Sequence, residues 1–215
     1  CALPILEAGE FKNGCTTVRL NGLWAVLDAM GRLYIKRLYR RVGPFEEDLA
    51  RVQVARAWGF VDRRGNTGIL PKFEEANDFS EALAAVTFEG KAGFINRAGQ
   101  FVIKPVFSGT GSFRDGLAPA SENGHWGFVD KKGAFSIKTA WDFAQPFQGN
   151  VSVVTRDGCW GLVNRLGKET VPPQFSFVKG HAHGEFFDGM ALAFRDDKYG
   201  FVSQDGEIAI EPMFD

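Results

Sequence analysis

The sequence lacks the signals of several protein classes. It has no run of about 18 apolar residues, the length that marks a membrane-spanning helix. Its three cysteines are too few for a disulfide framework. The formal net charge is only −1 at pH 7, so we expect no nucleic-acid partner. The short motifs of phosphate-binding loops, zinc proteases and α/β-hydrolases are also missing. Together these absences favour a binding protein over a motif-defined enzyme.

What the sequence does contain is an internal repeat. A motif of the form W-G-F-V-D-x-x-G recurs, with variations, from six starting positions: Trp24, Trp58, Ala92, Trp126, Trp160 and Tyr199. The spacing is 34 residues between the first five positions and 39 residues before the last. A fixed period in this range predicts an array of similar units that stack and bury a shared core.

Aromatic residues keep the same register in the rest of each unit. One aromatic follows each turn glycine by eight residues: Tyr39, Phe73, Phe107, Trp141, Phe175 and Phe214. Another lies six residues later in the regular copies: Phe45, Phe79, Phe113 and Phe147. This strict phase is typical of a packed core rather than of an exposed ladder that binds sugars. The residues that we assign to the repeated core are Trp24, Trp58, Trp126, Trp160, Tyr199, Phe107 and Phe175.

Each unit reads as a three-stranded antiparallel meander. In the third unit, strands are predicted over 83–88, 91–96 and 100–104, and Pro105 ends the last because it cannot donate to a ladder. Residues 106–113 form a linker to the next unit, with one short helical turn. An Asn or Asp opens the tight turn before the third strand and Gly closes it. The Gly after each Trp leaves room for a neighbouring backbone or a flat aromatic ring.

The predicted fold is therefore all-β, with six units of about 34 residues in tandem. Residues 1–10 are the end of a preceding repeat or an N-terminal segment. The predicted units are 11–44, 45–78, 79–112, 113–146, 147–185 and 186–215. A small rotation between neighbours predicts a solenoid-like superhelix. The alternative is a closed propeller-like ring, which six similar units are able to form.

The motif resembles that of the WG-repeat family, bacterial proteins with a W-G-F/Y-I/V-D/N-x-x-G core and an I-x-P-x-F tail. Such tails occur here at 103–107, 171–175 and 210–214. The resemblance covers essentially the whole chain. It implies a β-rich binding or scaffold module, often in envelope or secreted proteins, with no catalytic residues and no shared ligand. Departures occur at Ala25, Ala92 and Thr139, and we expect those copies to pack less regularly.

The one insertion in the array is the first candidate for a specific site. It includes His181, His183 and Glu185, which alternate along the chain. An extended backbone would point all three in the same direction, as ligands of a metal ion require, whereas the simpler interpretation is a polar loop.

Charge is also distributed unevenly, with a basic stretch at 32–41 and an acidic one at 185–215. The candidate partner-binding residues are Arg37, Arg40, Arg41, His181 and His183.

The first residue, Cys1, has two interpretations. It is the residue that remains when a bacterial lipoprotein signal is cleaved, and its sulfur would then carry a lipid that attaches the protein to a membrane. Alternatively, the numbering simply begins inside a longer chain. The first interpretation predicts a periplasmic or surface lipoprotein of the bacterial envelope, and the alternative is a cytoplasmic protein.

The functional expectation is a non-enzymatic scaffold without a cofactor. Its repeated surface would bind a protein partner, since a repeat array offers a large surface built from similar units. The alternative is a carbohydrate or cell-wall binding module that uses exposed aromatic rings against glycan. A hydrolase with a metal ion in the 181–185 loop comes third.

Overall fold

The strands and turns follow from the repeated motif and are seen in a computed structural model of the chain. The structure describes residues 7–9, 11, 14–20, 22–33, 39–177 and 184–214. Every regular element in these ranges is a β-strand, which confirms the all-β prediction. No helix within them is long and apolar enough to cross a membrane. The chain divides into two compact halves, Cys1–Phe107 and Ser108–Asp215.

The N-terminal half contains three antiparallel sheets, each formed by consecutive strands. The first sheet consists of β1 (Glu7–Ala8), β2 (Cys15–Leu20) and β3 (Leu23–Asp28). The second consists of β4 (Arg41–Glu46), β5 (Leu49–Val54), β6 (Ala57–Asp62) and β7 (Thr67–Phe73). The third consists of β8 (Glu75–Ala76), β9 (Ala84–Phe88), β10 (Lys91–Ile95) and β11 (Phe101–Phe107).

The C-terminal half repeats the plan with three more sheets. The fourth sheet consists of β12 (Gly109–Thr110), β13 (Ala118–Glu122), β14 (His125–Val129) and β15 (Phe135–Trp141). The fifth consists of β16 (Phe143–Ala144), β17 (Val151–Arg156), β18 (Cys159–Asn164) and β19 (Glu169–Phe175). The sixth consists of β20 (Met190–Arg195), β21 (Lys198–Ser203) and β22 (Ile208–Phe214).

The linker between units is a strand rather than a helical turn. Gly109–Thr110 pairs with Ser121 and Ala120 of the following meander, and the third and fifth sheets are built the same way. Four of the six sheets therefore have four strands, where the sequence predicted three. In the third, fourth and fifth sheets the prediction was wrong because a two-residue strand leaves no alternation to detect, whereas the added strand of the second sheet, β4, has six residues.

The third strand of the third unit also runs further than predicted. In the third sheet it continues through Pro105 to Phe107, because a bulge lies where the proline interrupts the ladder. The fourth sheet has Thr139 in the place of that proline and keeps the same bulge. The sheet with Ala92 in the place of Trp keeps it as well, so these two departures from the motif do not make their sheets less regular.

The bulge explains the glycine of the W-G pair. In the second sheet, Trp58 pairs with Phe73 and Phe60 with Ile69, so Gly59 alone faces the three residues between them. A Cβ atom on Gly59 would lie 2.5 Å from the carbonyl oxygen of Ile69 and 2.6 Å from the nitrogen of Pro71. Equivalent contacts with the third strand occur at Gly93, Gly127, Gly161 and Gly200. The glycine therefore gives room to a neighbouring backbone, one of the two options that the sequence left open.

The tight turn between second and third strands is capped by its first residue. Oδ1 of Asn164 accepts hydrogen bonds from the backbone amides of Leu166 and Lys168, each at 3.0 Å. The same pair of bonds is made by the side chains of Asp28, Asp62, Asn96 and Asp130. Because either Asn or Asp makes these bonds, the side chain serves the turn as a hydrogen-bond acceptor.

Two of these carboxylates have lowered pKa values. For Asp28 the main cause is the hydrogen bond from the Arg32 amide, followed in the same direction by the Arg32 side chain. Burial on its own would raise the pKa of Asp62, but hydrogen bonds from the side chain and backbone of Asn66 outweigh it and lower the pKa. Folding therefore favours the ionised form of both side chains.

The turn also links successive sheets within each half. The residue after the capping Asn or Asp reaches back to a turn of the preceding sheet. Arg97 donates to the carbonyl of Glu47, and Arg165 donates to the carbonyl of Asp115 at 2.6 Å. Gln204 makes the corresponding bond to the carbonyl of Gln148 at 3.2 Å. These hydrogen bonds fix the register of one sheet against the next.

We expect Gly59→Ala to destabilise the protein by about 2 kcal/mol or more, because its Cβ would overlap the backbone of the bulge. Urea unfolding followed by circular dichroism measures the change. The matched control is Gly68→Ala in the adjacent strand, where the nearest atom to a new Cβ lies 3.5 Å away. A similar loss in both variants would contradict the role of the bulge.

Acid should weaken the fold partly through Asp62. Since its folded pKa is lowered, its stabilising contribution is complete above its unfolded pKa and is lost as the pH falls through the folded pKa. Asp62→Asn keeps the acceptor, so its unfolding midpoint should fall less than that of the wild type between about pH 5 and pH 2. Asp197→Asn, at an exposed turn, controls for the change in net charge. Parallel pH profiles of the wild type and Asp62→Asn would contradict this.

Candidate functional site

The candidate site begins with rows of side chains that cross each sheet. In the second sheet Arg41, Gln53, Trp58 and Phe73 stand opposite one another on successive strands, and residues paired in this way share a face. The other rows are Gly109, Ser121, Trp126 and Trp141 in the fourth sheet and Phe143, Thr155, Trp160 and Phe175 in the fifth. Each row thus joins a linker residue to the residue of the W-G pair.

In the fifth sheet, the linker residue at the start of the row contacts the indole of the preceding sheet. Phe143 packs against Trp126 with ring centroids 5.0 Å apart, which fills the gap between the fourth and fifth sheets. Between the first and second sheets the linker residue is Arg41, and a cavity of about 360 Å³ is present instead. We call it the tryptophan–arginine pocket, and it is lined by Trp24, Arg41, Val42, Gly43, Arg51 and Trp58.

Arg51 is the residue that distinguishes this pocket from the rest of the array. The same repeat position in other units holds Thr17, Ala85, Pro119, Val153 and Leu192. Its Nε lies 3.0 Å from Oδ1 of Asp78, and its Nη1 donates to the carbonyl of Ala76 at 2.9 Å. The guanidinium carbon stands 5.4 Å from the centre of the Trp58 ring, in cation–π geometry. Three contacts therefore hold this side chain in place.

Gly43 makes room for that arrangement. A Cβ atom at this position would lie 2.7 Å from Cγ of Arg51 and 2.8 Å from Oδ1 of Asp78. Any other residue would therefore collide with the ion pair. The arginine, the aspartate and the glycine come from three different stretches of the chain and depend on one another.

The predicted basic residues lie partly at this pocket. Arg41 is exposed in its wall and has no carboxylate partner among the described residues. Arg40 is exposed beside it, while Arg37 lies outside the described residues. The two guanidinium groups of Arg41 and Arg51 against the single carboxylate of Asp78 leave the pocket with a net positive charge.

The repeated aromatics are buried to different degrees. Trp160, Phe107 and Phe175 are buried, whereas Trp24, Trp58, Trp126 and Tyr199 are half-buried. In three of the six units the phenylalanine two residues after the Trp position is fully buried: Phe60, Phe94 and Phe128. The indoles of Trp24 and Trp58 thus each keep a surface that a ligand is able to reach.

A second cavity adjoins the pocket along β4. It has a volume of about 380 Å³, shares Val42 and Gly43 with the pocket, and continues to Pro44 and Phe45. The opposite wall is formed by residues of the first sheet: Cys15, Thr16, Thr17 and Val26. Burial raises the pKa of the Cys15 thiol despite the nearby Arg63, so this wall is uncharged. The two cavities share Val42 and Gly43 and together form a groove with a basic end and an uncharged end.

The structure does not test whether the three predicted metal ligands lie close together. His181 and His183 lie outside the described residues, and Glu185 is exposed. Within the part of the chain that the structure describes, no group of three His, Cys, Asp or Glu residues is arranged to hold a metal ion. Cys1 also lies outside the described residues. The metal and lipid assignments therefore stay predictions.

Sequence analysis missed Arg51, Asp78 and Gly43. A charged residue at a repeat position otherwise held by small or apolar residues was a detectable signal. The partners were not detectable, because Asp78 is 27 residues away and only the fold brings it to 3.0 Å from Arg51.

Solved structures resemble the chain in fold at low sequence identity. Hsv2p of Kluyveromyces lactis aligns with a TM-score of 0.55 and 11% identity, over 95% of this chain and 76% of that protein. A eukaryotic initiation factor aligns with a TM-score of 0.57 and 12% identity, over 93% and 63% of the two chains. An extracellular domain from B. thetaiotaomicron aligns with a TM-score of 0.53 and 11% identity, over 97% and 35%.

Sequence comparison identifies the repeat itself. No curated protein matches the chain in sequence. The family described as WG containing repeat matches six consecutive stretches: 26–55, 58–91, 93–125, 126–158, 160–199 and 199–215. These matches span nearly the whole of the array that the motif and the six sheets define, and the chain therefore belongs to the WG containing repeat family.

Proposed function

We propose that this protein is a non-enzymatic interaction module that binds a protein partner. The observation that carries the proposal is the tryptophan–arginine pocket, where two half-buried indoles and two arginines converge on a frame of paired strands. Trp and Arg are the residue types that most often dominate the binding energy of protein interfaces. Side chains held by sheets and ion pairs lose little conformational freedom on binding, which favours affinity.

The repeated frame supports the same proposal. The hydrogen bonds between successive sheets use backbone carbonyls and turn residues, so they leave the linker positions free to vary. Those positions hold Glu7, Arg41, Glu75, Gly109 and Phe143 in the first five sheets. A fixed frame with variable positions suits recognition of a partner rather than one chemical reaction.

Two broader proposals accompany this one. We place the protein in the bacterial envelope, a location compatible with the likeness to an extracellular domain from B. thetaiotaomicron. We also propose that the six sheets follow one another in a solenoid-like superhelix, with a closed ring as the alternative. Small-angle scattering distinguishes the two, because a ring is more compact than a superhelix of equal length.

Charge reversal at the pocket should abolish capture of the partner. With tagged protein as bait in lysate from the native source, proteins recovered by the wild type should be missing with Arg41→Glu, because the pocket would then repel an acidic surface. Arg114→Glu is the matched control, since Arg114 is exposed in the other half of the chain. Mass spectrometry identifies the recovered proteins. Recovery of the same set by both variants would refute the proposed surface.

A carbohydrate or cell-wall ligand is the second candidate, and the exposed parts of Trp24 and Trp58 favour it. However, Arg51 already covers one face of the Trp58 ring. Sugar stacking therefore predicts that insoluble peptidoglycan co-sediments the wild type and not Trp24→Ala. If the protein-partner proposal holds, neither form should co-sediment.

A further inference from the structure

We propose that the tryptophan–arginine pocket takes a single carboxylate side chain from an extended segment of the partner, with an apolar neighbour seated along β4. This inference rests on the proposed function, and it names the chemistry that the pocket recognises. The pocket supplies guanidinium donors, the adjoining cavity supplies uncharged walls that include Val42 and Phe45, and one ligand feature fits each part.

The donors come from Arg41 and Arg51. Nη1 of Arg51 donates to the carbonyl of Ala76, and Nε lies 3.0 Å from Oδ1 of Asp78 in an ion pair without a hydrogen bond, while no described residue accepts a hydrogen bond from Nη2. Its position is fixed by the ion pair and by the Trp58 ring, so a bond to Nη2 requires little further ordering. Arg41 is exposed in the same wall and is free to close over a bound anion. A planar guanidinium matches a carboxylate in geometry as well as in charge.

The charge balance favours a carboxylate over a phosphate. Two arginines and Asp78 give the pocket one net positive charge, which one carboxylate neutralises. A phosphate monoester carries nearly two negative charges at pH 7 and would also face the Asp78 carboxylate. That carboxylate is only one-quarter exposed, so water screens the repulsion incompletely. A neutral sugar offers hydroxyl acceptors but no charge, so it would leave the net positive charge of the pocket without a counter-charge.

The shape of the groove favours an extended peptide. The adjoining cavity continues from Val42 and Gly43 to Pro44 and Phe45, away from the arginines. A free small anion would occupy one end and leave the other empty. In an extended peptide, side chains two residues apart share a face and lie about 7 Å apart along the chain, so a residue two positions from the acid reaches the second cavity. The expected sequence is therefore an Asp or Glu with Val, Ile or Leu nearby.

The test uses three short fluorescein-labelled peptides that differ at one position, with valines two positions away on either side: glutamate, glutamine or phosphoserine. Fluorescence anisotropy with the whole protein measures each affinity. We expect the glutamate peptide to bind roughly tenfold or more tightly than the glutamine peptide, as loss of a charge-assisted hydrogen bond implies. It should also bind more tightly than the phosphoserine peptide. Equal binding of glutamate and glutamine peptides, tighter binding of phosphoserine, or no binding at all would overturn the inference.

Two variants locate the binding on the protein. Arg41→Gln should weaken binding of the glutamate peptide roughly tenfold, whereas Arg114→Gln should leave it unchanged. The double variant Arg51→Val with Asp78→Ser removes the ion pair and installs the residues found at Val153 and Ser112, the same repeat positions of other units. It should fold, as circular dichroism will verify, and bind the glutamate peptide as weakly as Arg41→Gln. Unchanged affinity in either variant refutes the assigned site.

Failure of the inference is distinguishable from failure of the proposed function. If Arg41→Glu loses the partner but the wild type does not prefer the glutamate peptide, the surface is correct and its assigned ligand is wrong. If the glutamate peptide depends on Arg41 while capture of the partner does not, the acid site is correct and the partner binds elsewhere.

Discussion

The contact between the glycine of the W-G pair and the bulged third strand is the constraint on which the fold depends. At Gly161 the third strand comes so close that a Cβ would lie 2.6 Å from the nitrogen of Pro173. The bulge lets the third strand curve over the second, which places the aromatic of the tail opposite the residue of the W-G pair. This contact links the two ends of the repeat motif, W-G and I-x-P-x-F, although about ten residues separate them.

The same contact explains which residues of the motif are replaceable. Ala92 stands where other units have Trp, and Thr139 stands where others have Pro, yet both sheets keep the register of their neighbours. The smaller side chain of Ala92 removes contact area at a buried position, and a threonine nitrogen fits where a proline nitrogen does. Adding a Cβ at the glycine is different, because close-packed backbone atoms cannot move aside independently. In the second to sixth sheets the motif is therefore strict where backbones touch and tolerant where side chains touch, whereas the first unit has Ala25 at the glycine position.

The sequence predicted the parts of the fold that local chemistry encodes. Turns such as Asn164–Gly167 were predictable, because an Asx residue and a glycine with positive φ define them within four residues. The linker strand at Gly109–Thr110 was not, since it exists only through its pairing with Ala120 and Ser121. The extension of the third strand past Pro105 was missed for a related reason. Proline interrupts a ladder, but a bulge accommodates the interruption, and a single chain does not reveal a bulge.

For the site, sequence analysis identified Arg41 and missed Arg51 together with the residues that hold it in place. Arg41 was identified from a local cluster of charge, whereas the role of Arg51 depends on Asp78 and Gly43, which the fold brings together. A half-buried arginine at an apolar repeat position would ordinarily weaken a sheet, because a desolvated charge without a partner is costly. Here an ion pair, a backbone carbonyl and an aromatic ring offset that cost. In a repeat protein the regular positions maintain the frame. A residue that breaks the repeat pattern and is held in place by its own contacts, such as Arg51, is therefore a good candidate for a specific function.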